Sequence, residues 1–351
     1  GYDVQGNRTR LATTIGGVEY ATTYTFDALN RLDTVTDAAG RSYVHTYDAN
    51  GNRESLSHPN GVATSYEFDA LNRLKSLDTK RGAYTIQGYA VTLGATGNRT
   101  RIDEADGTFR EYTYDDLYRL TGETVTKAGA VQYAGGFTYD AVGNRLSQTK
   151  NGVLTSSSFD ERDRLLTEGS TTYDWDDEGN LGSKTGADGA TYEWDFDHRL
   201  VKVQKHDGTV IEHTYDADGV RVQTKTTKAG LTTVQNYLVD TAGALSHVVA
   251  ETDEAGALKA LYVRGDDLLA VIRASGTKCV HARWAREHPQ AHRRERGGHR
   301  QLHLQRLWRT AGARRLRPAA VHVRWGGLGG RLRALLQPGA VARRGDGAVC
   351  E

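Results

Sequence analysis

The sequence predicts an all-β protein: antiparallel β-hairpin repeats of about 21 residues that coil into a spiral shell or solenoid, followed by an irregular C-terminal tail. Three observations predict it. An aromatic-Asp-turn motif recurs along the first 275 residues; aromatics two residues apart stand before it; and glycine, 40 of 351 residues, exceeds its usual share of about 7%. Enriched glycine with this periodicity means many tight turns and few long helices.

The motif is an aromatic followed by Asp, a short turn, and Asn-Arg or Arg-Leu. It runs Tyr2-Asp3 to Arg8, Phe26-Asp27 to Leu32, Tyr47-Asp48 to Arg53, Phe68-Asp69 to Leu74, Tyr114-Asp115 to Leu120 and Tyr139-Asp140 to Arg145. It continues as Phe159-Asp160 to Leu165, Trp175-Asp176 to Leu181, Trp194-Asp195 to Leu200 and Tyr215-Asp216 to Arg221, with a degenerate copy from Tyr89 to Arg99. Successive starts lie 16 to 25 residues apart. Copies with Gly before the Asn-Arg (Gly51-Asn52-Arg53) alternate with copies carrying another residue there (Leu71-Asn72-Arg73), so the full unit is a pair of about 42 residues.

Each piece of a copy has a physical role. Aromatics at i and i+2, such as Tyr24/Phe26, Tyr66/Phe68, Tyr112/Tyr114 and Tyr192/Trp194, fall on one face of a strand. The Asp starts the turn by bonding nearby backbone, and Gly or Asn supplies positive φ. A second strand rich in Thr and Val follows, as in Thr34-Val35-Thr36, and ends at a second turn marked by Gly40, Gly61, Gly82, Gly107, Gly129, Gly152, Gly189, Gly208 or Gly230. Eleven copies imply roughly twenty strands, more than an open twisted sheet carries without curling. With only 38% hydrophobic residues, the expected product is a hollow, polar-lined shell.

The alternating Tyr-Asp and Phe-Asp copies with Gly-Asn-Arg and Asn-Arg-Leu resemble the YD repeats of the Rhs family, shared with bacterial wall-associated proteins, toxin-complex C components and teneurins. Tyr237-Leu238-Val239-Asp240 and Tyr262-Val263-Arg264-Gly265-Asp266-Asp267-Leu268-Leu269 resemble the approach to the Rhs core. The resemblance implies a β-cage around a variable C-terminal polypeptide, commonly a toxin. The implied partner is that toxin or effector, with a secretion apparatus or a surface glycan as further partners, and the implied location is bacterial, secreted or on the cell surface. It also divides the chain: 1–236 the shell, 237–275 the last strands leading into the core, 276–351 a separate tail. A carbohydrate- or protein-binding surface module of adhesin type is the alternative reading.

The tail differs in kind. Residues 1–275 carry 28 Lys+Arg against 40 Asp+Glu; residues 276–351 carry 17 against 4 and hold both cysteines, Cys279 and Cys350. Back-translated and displaced by one nucleotide, Arg283-Trp284-Ala285-Arg286-Glu287-His288-Pro289 permits Asp-Gly-Leu-Gly-Ser-Thr-Arg, an Rhs core phrase. Further core phrases follow in order from Gln301–Arg309, Arg333–Gln337 and Asp346–Cys350. The expectation is a frameshift near Gly276–Lys278 and a poorly ordered, out-of-frame tail. The Gly1 start and the absence of methionine predict a piece of a longer repeat array.

No enzyme is expected, and no catalytic, cofactor-binding or metal-binding residues are assigned. Asp115-Asp116, Asp176-Asp177-Glu178 and Asp266-Asp267 sit in turns, where Asp serves the backbone. His281, His288, His292, His299 and His303 lack paired ligands at metal-site spacing. Ser42 and Ser65 have no triad arrangement, and Asn7-Arg8-Thr9 and Asn98-Arg99-Thr100 read as repeat turns rather than glycosylation acceptors. The Arg-rich tail implies no specific nucleic-acid partner, and no apolar run of 18 residues predicts a membrane span.

Overall fold

The computed structural model describes residues 1–243 and 245–280; of the tail expected to be irregular from residue 276 on, Gly276–Cys279 form a strand instead, and the part beyond Val280, with its histidines, lies outside the described residues. Among the described residues the chain forms twenty-six strands and no helix, numbered here β1 to β26 in chain order. Every strand pairs antiparallel with the next, from β1 (Arg10–Ile15) on β2 (Val18–Phe26) to β25 (Leu268–Arg273) on β26 (Gly276–Cys279). The product is one unclosed 26-stranded meander, the all-β hairpin repeat expected from the sequence.

Each motif copy closes one hairpin with the same turn. Asp27 N donates to Arg31 O and Asn30 N donates to Asp27 O, both at 2.9 Å. Asn30 has φ 59°, and the strand register shifts between Thr25 and Phe26 so that Phe26 pairs with Leu32. This is a type I turn followed by a left-handed residue and a bulge, which re-aims the strand and adds twist. The same shift pairs Tyr47 with Arg53, Tyr114 with Leu120, Trp194 with Leu200 and Tyr215 with Arg221.

The structure corrects the start of the degenerate copy. Leu93, not Tyr89, takes the aromatic position, since the register shift pairs Leu93 with Arg99 and Gly94 closes the turn on Asn98 and Gly97. Gly94 brings no carboxylate, and Asn98 Oδ1 instead accepts from Thr96 Oγ1 at 2.7 Å. Unequal repeat lengths are absorbed at the opposite ends of the hairpins. The long spacing after Phe68 becomes the extended hairpin of β7 (Leu74–Arg81) and β8 (Tyr84–Leu93), and the short one after Phe159 becomes β15 (Leu165–Glu168) and β16 (Thr171–Trp175). Of the glycines expected at those distal turns, all but Gly189 have positive φ; there Gly186 does.

At the left-handed position of the motif most copies place Gly, Asn or Asp, but Tyr118 stands there with φ 58° and about half of its surface exposed. A left-handed non-glycine residue costs roughly 1–2 kcal/mol, offset in part by the entropy of glycine. Tyr118→Gly is therefore expected to stabilise the protein by about 0.5–1 kcal/mol. A urea midpoint unchanged or lowered would show that the Tyr118 ring contributes more packing than its backbone strain removes.

The sheet overlaps itself. Residues of β24 (Leu258–Arg264) and β25 share a core with residues 32–102: Leu32, Val35, Tyr43, Leu56, Leu74 and Leu77 pack with Val263, Leu269 and Ala270, while Ile15 packs with Ala250 and Leu261. Here the filling is apolar, where the composition led to the expectation of a polar lining. The buried positions also include many polar side chains, Thr64, Thr79 and Asn52 within residues 32–102 and Asn144 outside them.

Candidate functional site

Two features organise the molecule and form its candidate site: a ladder that joins the motif turns into one rim, and the seam where the ends of the sheet overlap. In each turn but that at Gly94 the Asp carboxylate caps backbone. Asp27 Oδ1 accepts from Leu29 N and Arg31 N at 2.9 Å, and Oδ2 accepts from Arg31 Nε at 2.7 Å. In the Gly-type turns Asn takes over from Arg: Asp48 Oδ2 accepts from Asn52 Nδ2 at 2.9 Å. The two sub-types are thus offset by one residue, Asn30-Arg31-Leu32 standing where Gly51-Asn52-Arg53 stands. Matching the Asn-Arg pairs by identity would put the wrong residues in register.

That offset builds the ladder. The Asn of a Gly-type turn donates to the left-handed residue of the next: Asn52 Nδ2 to Asn72 Oδ1 at 2.9 Å, Asn144 Nδ2 to Asp163 Oδ1 at 2.9 Å. The Arg of that next turn reaches forward in its place. Arg31 lies over the Tyr47 ring at 4.4 Å, Arg199 over Tyr215 at 5.4 Å, and Arg119 Nη1 donates to Asp140 O at 2.7 Å. The ring itself reaches back, since Tyr47, Tyr114, Tyr139 and Tyr215 hydroxyls each donate at 2.8 Å to the carbonyl that follows the preceding turn. Trp175 and Trp194 do the same through Nε1 at 2.9 Å. An aromatic with a donor suits the position because it packs and caps at once. Arginine faces lie over four of these rings, Tyr47, Tyr139, Trp175 and Tyr215.

The seam is held by charge. Arg53, 6% exposed, donates from Nη2 to Asp266 Oδ2 at 2.8 Å and from Nη1 to Asp267 Oδ2 at 3.1 Å. Burial alone would depress this guanidinium, but Tyr66, Asp266 and Asp267 outweigh it and hold the charge more firmly. Gly265, in the same turn, leaves no room for a side chain: a Cβ there would stand 2.8 Å from Leu32 Cδ2 and 3.2 Å from Val35 Cγ2. Arg41 Nη1 donates to Thr277 Oγ1 at 2.7 Å, and Arg8 pairs with Asp240 at the end of β22 (Leu231–Asp240). Beneath the seam His45 is fully buried; burial, with Arg53 adding to it, pushes its pKa down to about 3. Tyr43 stands edge-on to His58 at 5.7 Å between ring centres.

The acidic groups read from sequence fall apart as sites. Asp115 and Asp176 cap their own turns, while Asp116, Asp177 and Glu178 are exposed. Asp266-Asp267 belongs to the seam. Among the described residues no group of three or more His, Cys, Asp or Glu could hold a metal ion. Ser42 and Ser65 are exposed on strands, Ser42 beside Thr36 Oγ1 at 3.2 Å. Asn7 and Asn98 serve their turns. Among the described residues no helix is long and apolar enough to cross a membrane. Arg53 and its carboxylates went unassigned from sequence because ion pairs across 213 residues leave no local signal.

A family model described as teneurin YD-shell matches residues 1–99 and 96–276. No curated protein sequence matches significantly. Similar solved structures include the Tc holotoxin pore of Photorhabdus luminescens, 18% identical over 71% of this chain and 18% of that one, TM-score 0.43. Another is the TcdB2-TccC3-Cdc42 crystal structure, 16% identical over 76% of this chain and 20% of that one, TM-score 0.42. The chain therefore spans at most about a fifth of these structures' matching chains.

Proposed function

As this chain belongs to the teneurin YD-shell family, we propose that it is a length of shell wall, a scaffold whose coiled sheet encloses a C-terminal effector of a longer, exported bacterial protein and performs no catalysis itself. The observation that carries this reading is the seam. A sheet that overlaps itself and locks with Arg53 on Asp266 and Asp267 becomes a wall that holds its curvature, as a container requires. The rim ladder supports the same reading, because its turns bond to one another and so set the pitch of the coil.

Within this proposal residues 1–236 are the wall, 237–275 the strands that close onto it, and 276–351 an out-of-frame tail. The family match ends at residue 276, where the frame was expected to break. Restoring the frame between codons 276 and 278, and expressing the coding sequence that then follows, is expected to yield a polypeptide whose C-terminal segment resists protease until the shell is unfolded. Rapid cleavage of that segment from the native protein would refute enclosure. Specific, saturable binding on a glycan array would favour the adhesin-like reading instead.

A further inference from the structure

In five of the six Gly-type turns, Leu181 standing in the other, the residue after Asn, or in the last copy after Val220, is an arginine, and three of these five arginines hold carboxylates. Arg8 holds Asp240, Arg53 holds Asp266 and Asp267, and Arg145 holds Glu168 at 3.1 Å. Arg221, the last of the series, is only 9% exposed, yet neither Nη1 nor Nη2 has a hydrogen-bond partner. Burial depresses its pKa, and no carboxylate offsets that burial. A buried guanidinium without a counter-charge costs several kcal/mol, so such a group marks an incomplete ion pair.

The surroundings of Arg221 are those of an anion receptor. The bulge that pairs Tyr215 with Arg221, beside the pairs His213 with Thr224 and Thr224 with Gln235, places these side chains and Tyr237 on one face. Arg221 lies over the Tyr237 ring at 5.6 Å. His213, 7% exposed, is oriented by a 3.0 Å contact between Nδ1 and Thr224 Oγ1, while its Nε2 is buried without a partner. Two nitrogen-bearing groups thus sit on one face with unused hydrogen-bonding capacity and no carboxylate partner.

We propose that Arg221 and His213 form a receptor for the carboxylate of an acidic polypeptide segment laid over this face, as the turn at residues 265–267 is laid over Arg53. The carboxylate matches the fork of the guanidinium in two parallel bonds. A peptide rather than a free ion is the occupant because three equivalent arginines take their carboxylates from Asp and Glu side chains, two of them from segments more than 200 residues away in sequence. The inference rests on the geometry of this face and holds whether or not the shell encloses an effector.

The test uses the full chain and compares melting temperature in chloride, in acetate and with the peptide acetyl-Arg-Gly-Asp-Asp-Leu-amide at matched ionic strength. The peptide is expected to raise the melting temperature saturably, at concentrations at least fivefold below acetate, and Arg221→Met is expected to abolish the rise. In chloride Arg221→Met is expected to melt no lower than the parent, since it removes an uncompensated charge. Titration of the parent protein, followed through the arginine side-chain resonances by NMR, needs no variant and should shift Arg221 first. Equal responses in parent and Arg221→Met, a lower melting temperature for that variant in chloride, or no shift at Arg221 would each overturn the proposal. Equal potency of acetate and peptide would overturn the peptide as occupant.

Discussion

Arg53→Met is expected to cost about 3–5 kcal/mol, because it leaves Asp266 and Asp267 half-buried against a wall that no longer carries a positive charge. The loss should be local before it is global. Nearest-neighbour hairpins hold most of a repeat protein together, whereas this ion pair joins strands 213 residues apart. Hydrogen exchange in Leu258–Arg273 should therefore accelerate far more than in the hairpins between Leu120 and Lys184. Replacing all three groups with apolar residues of similar volume should recover most of the stability, since the desolvation penalty disappears with the charges. Uniform protection across the sheet in Arg53→Met would show that the overlap is held by Leu32, Val35, Val263 and Leu269 alone.

Acid is expected to have an effect of similar size. Burial pushes His213 down to about 4, with Arg221 adding to it, and His45 to about 3, from an unfolded value of 6.5. The unfolded chain therefore takes up these protons first. The stability held by the neutral imidazoles is complete above pH 6.5. Below it, stability falls by about 1.4 kcal/mol per pH unit for each histidine, down to pH 4 for His213 and on to pH 3 for His45. Asp207 and Asp106, held low by their hydrogen bonds to Thr209 and Lys127, add losses below about pH 4. Urea denaturation at pH 7, 5.5 and 4.5 checks this. His45→Asn and His213→Asn together should flatten the profile between pH 6.5 and 4.5, and a slope unaltered by that pair would assign the acid sensitivity to other groups.

The local architecture was legible because each piece of it acts over a few residues. Asp27 binds the backbone of Leu29 and Arg31, so an Asp followed four residues later by Arg or Asn announces its turn without reference to the rest of the chain. The alternation of Gly-type and Arg-type copies was also visible, although its meaning was not. Only the bonds from Asn52 to Asn72 and from Arg31 to the Tyr47 ring explain why the two types must take turns. The start of the degenerate copy was misplaced because Tyr89 is aromatic and Leu93 is not; bulge position, which is a property of pairing, decided for Leu93.

By itself, then, the sequence determined the strands, their turns and the antiparallel order, since hydrogen bonds between neighbours in the chain and alternation along a strand specify all three. It also identified the family, through motifs that are contiguous. What the tertiary structure alone decided was where the coil meets itself: that Arg53 faces Asp266 and Asp267, that Gly265 must lie against Leu32, and that Arg221 has no carboxylate. Those relations depend on the summed twist and bulges of some twenty hairpins. A small change of angle at each turn would bring a different strand over β3 (Leu32–Thr36), and no local pattern in the chain records that sum.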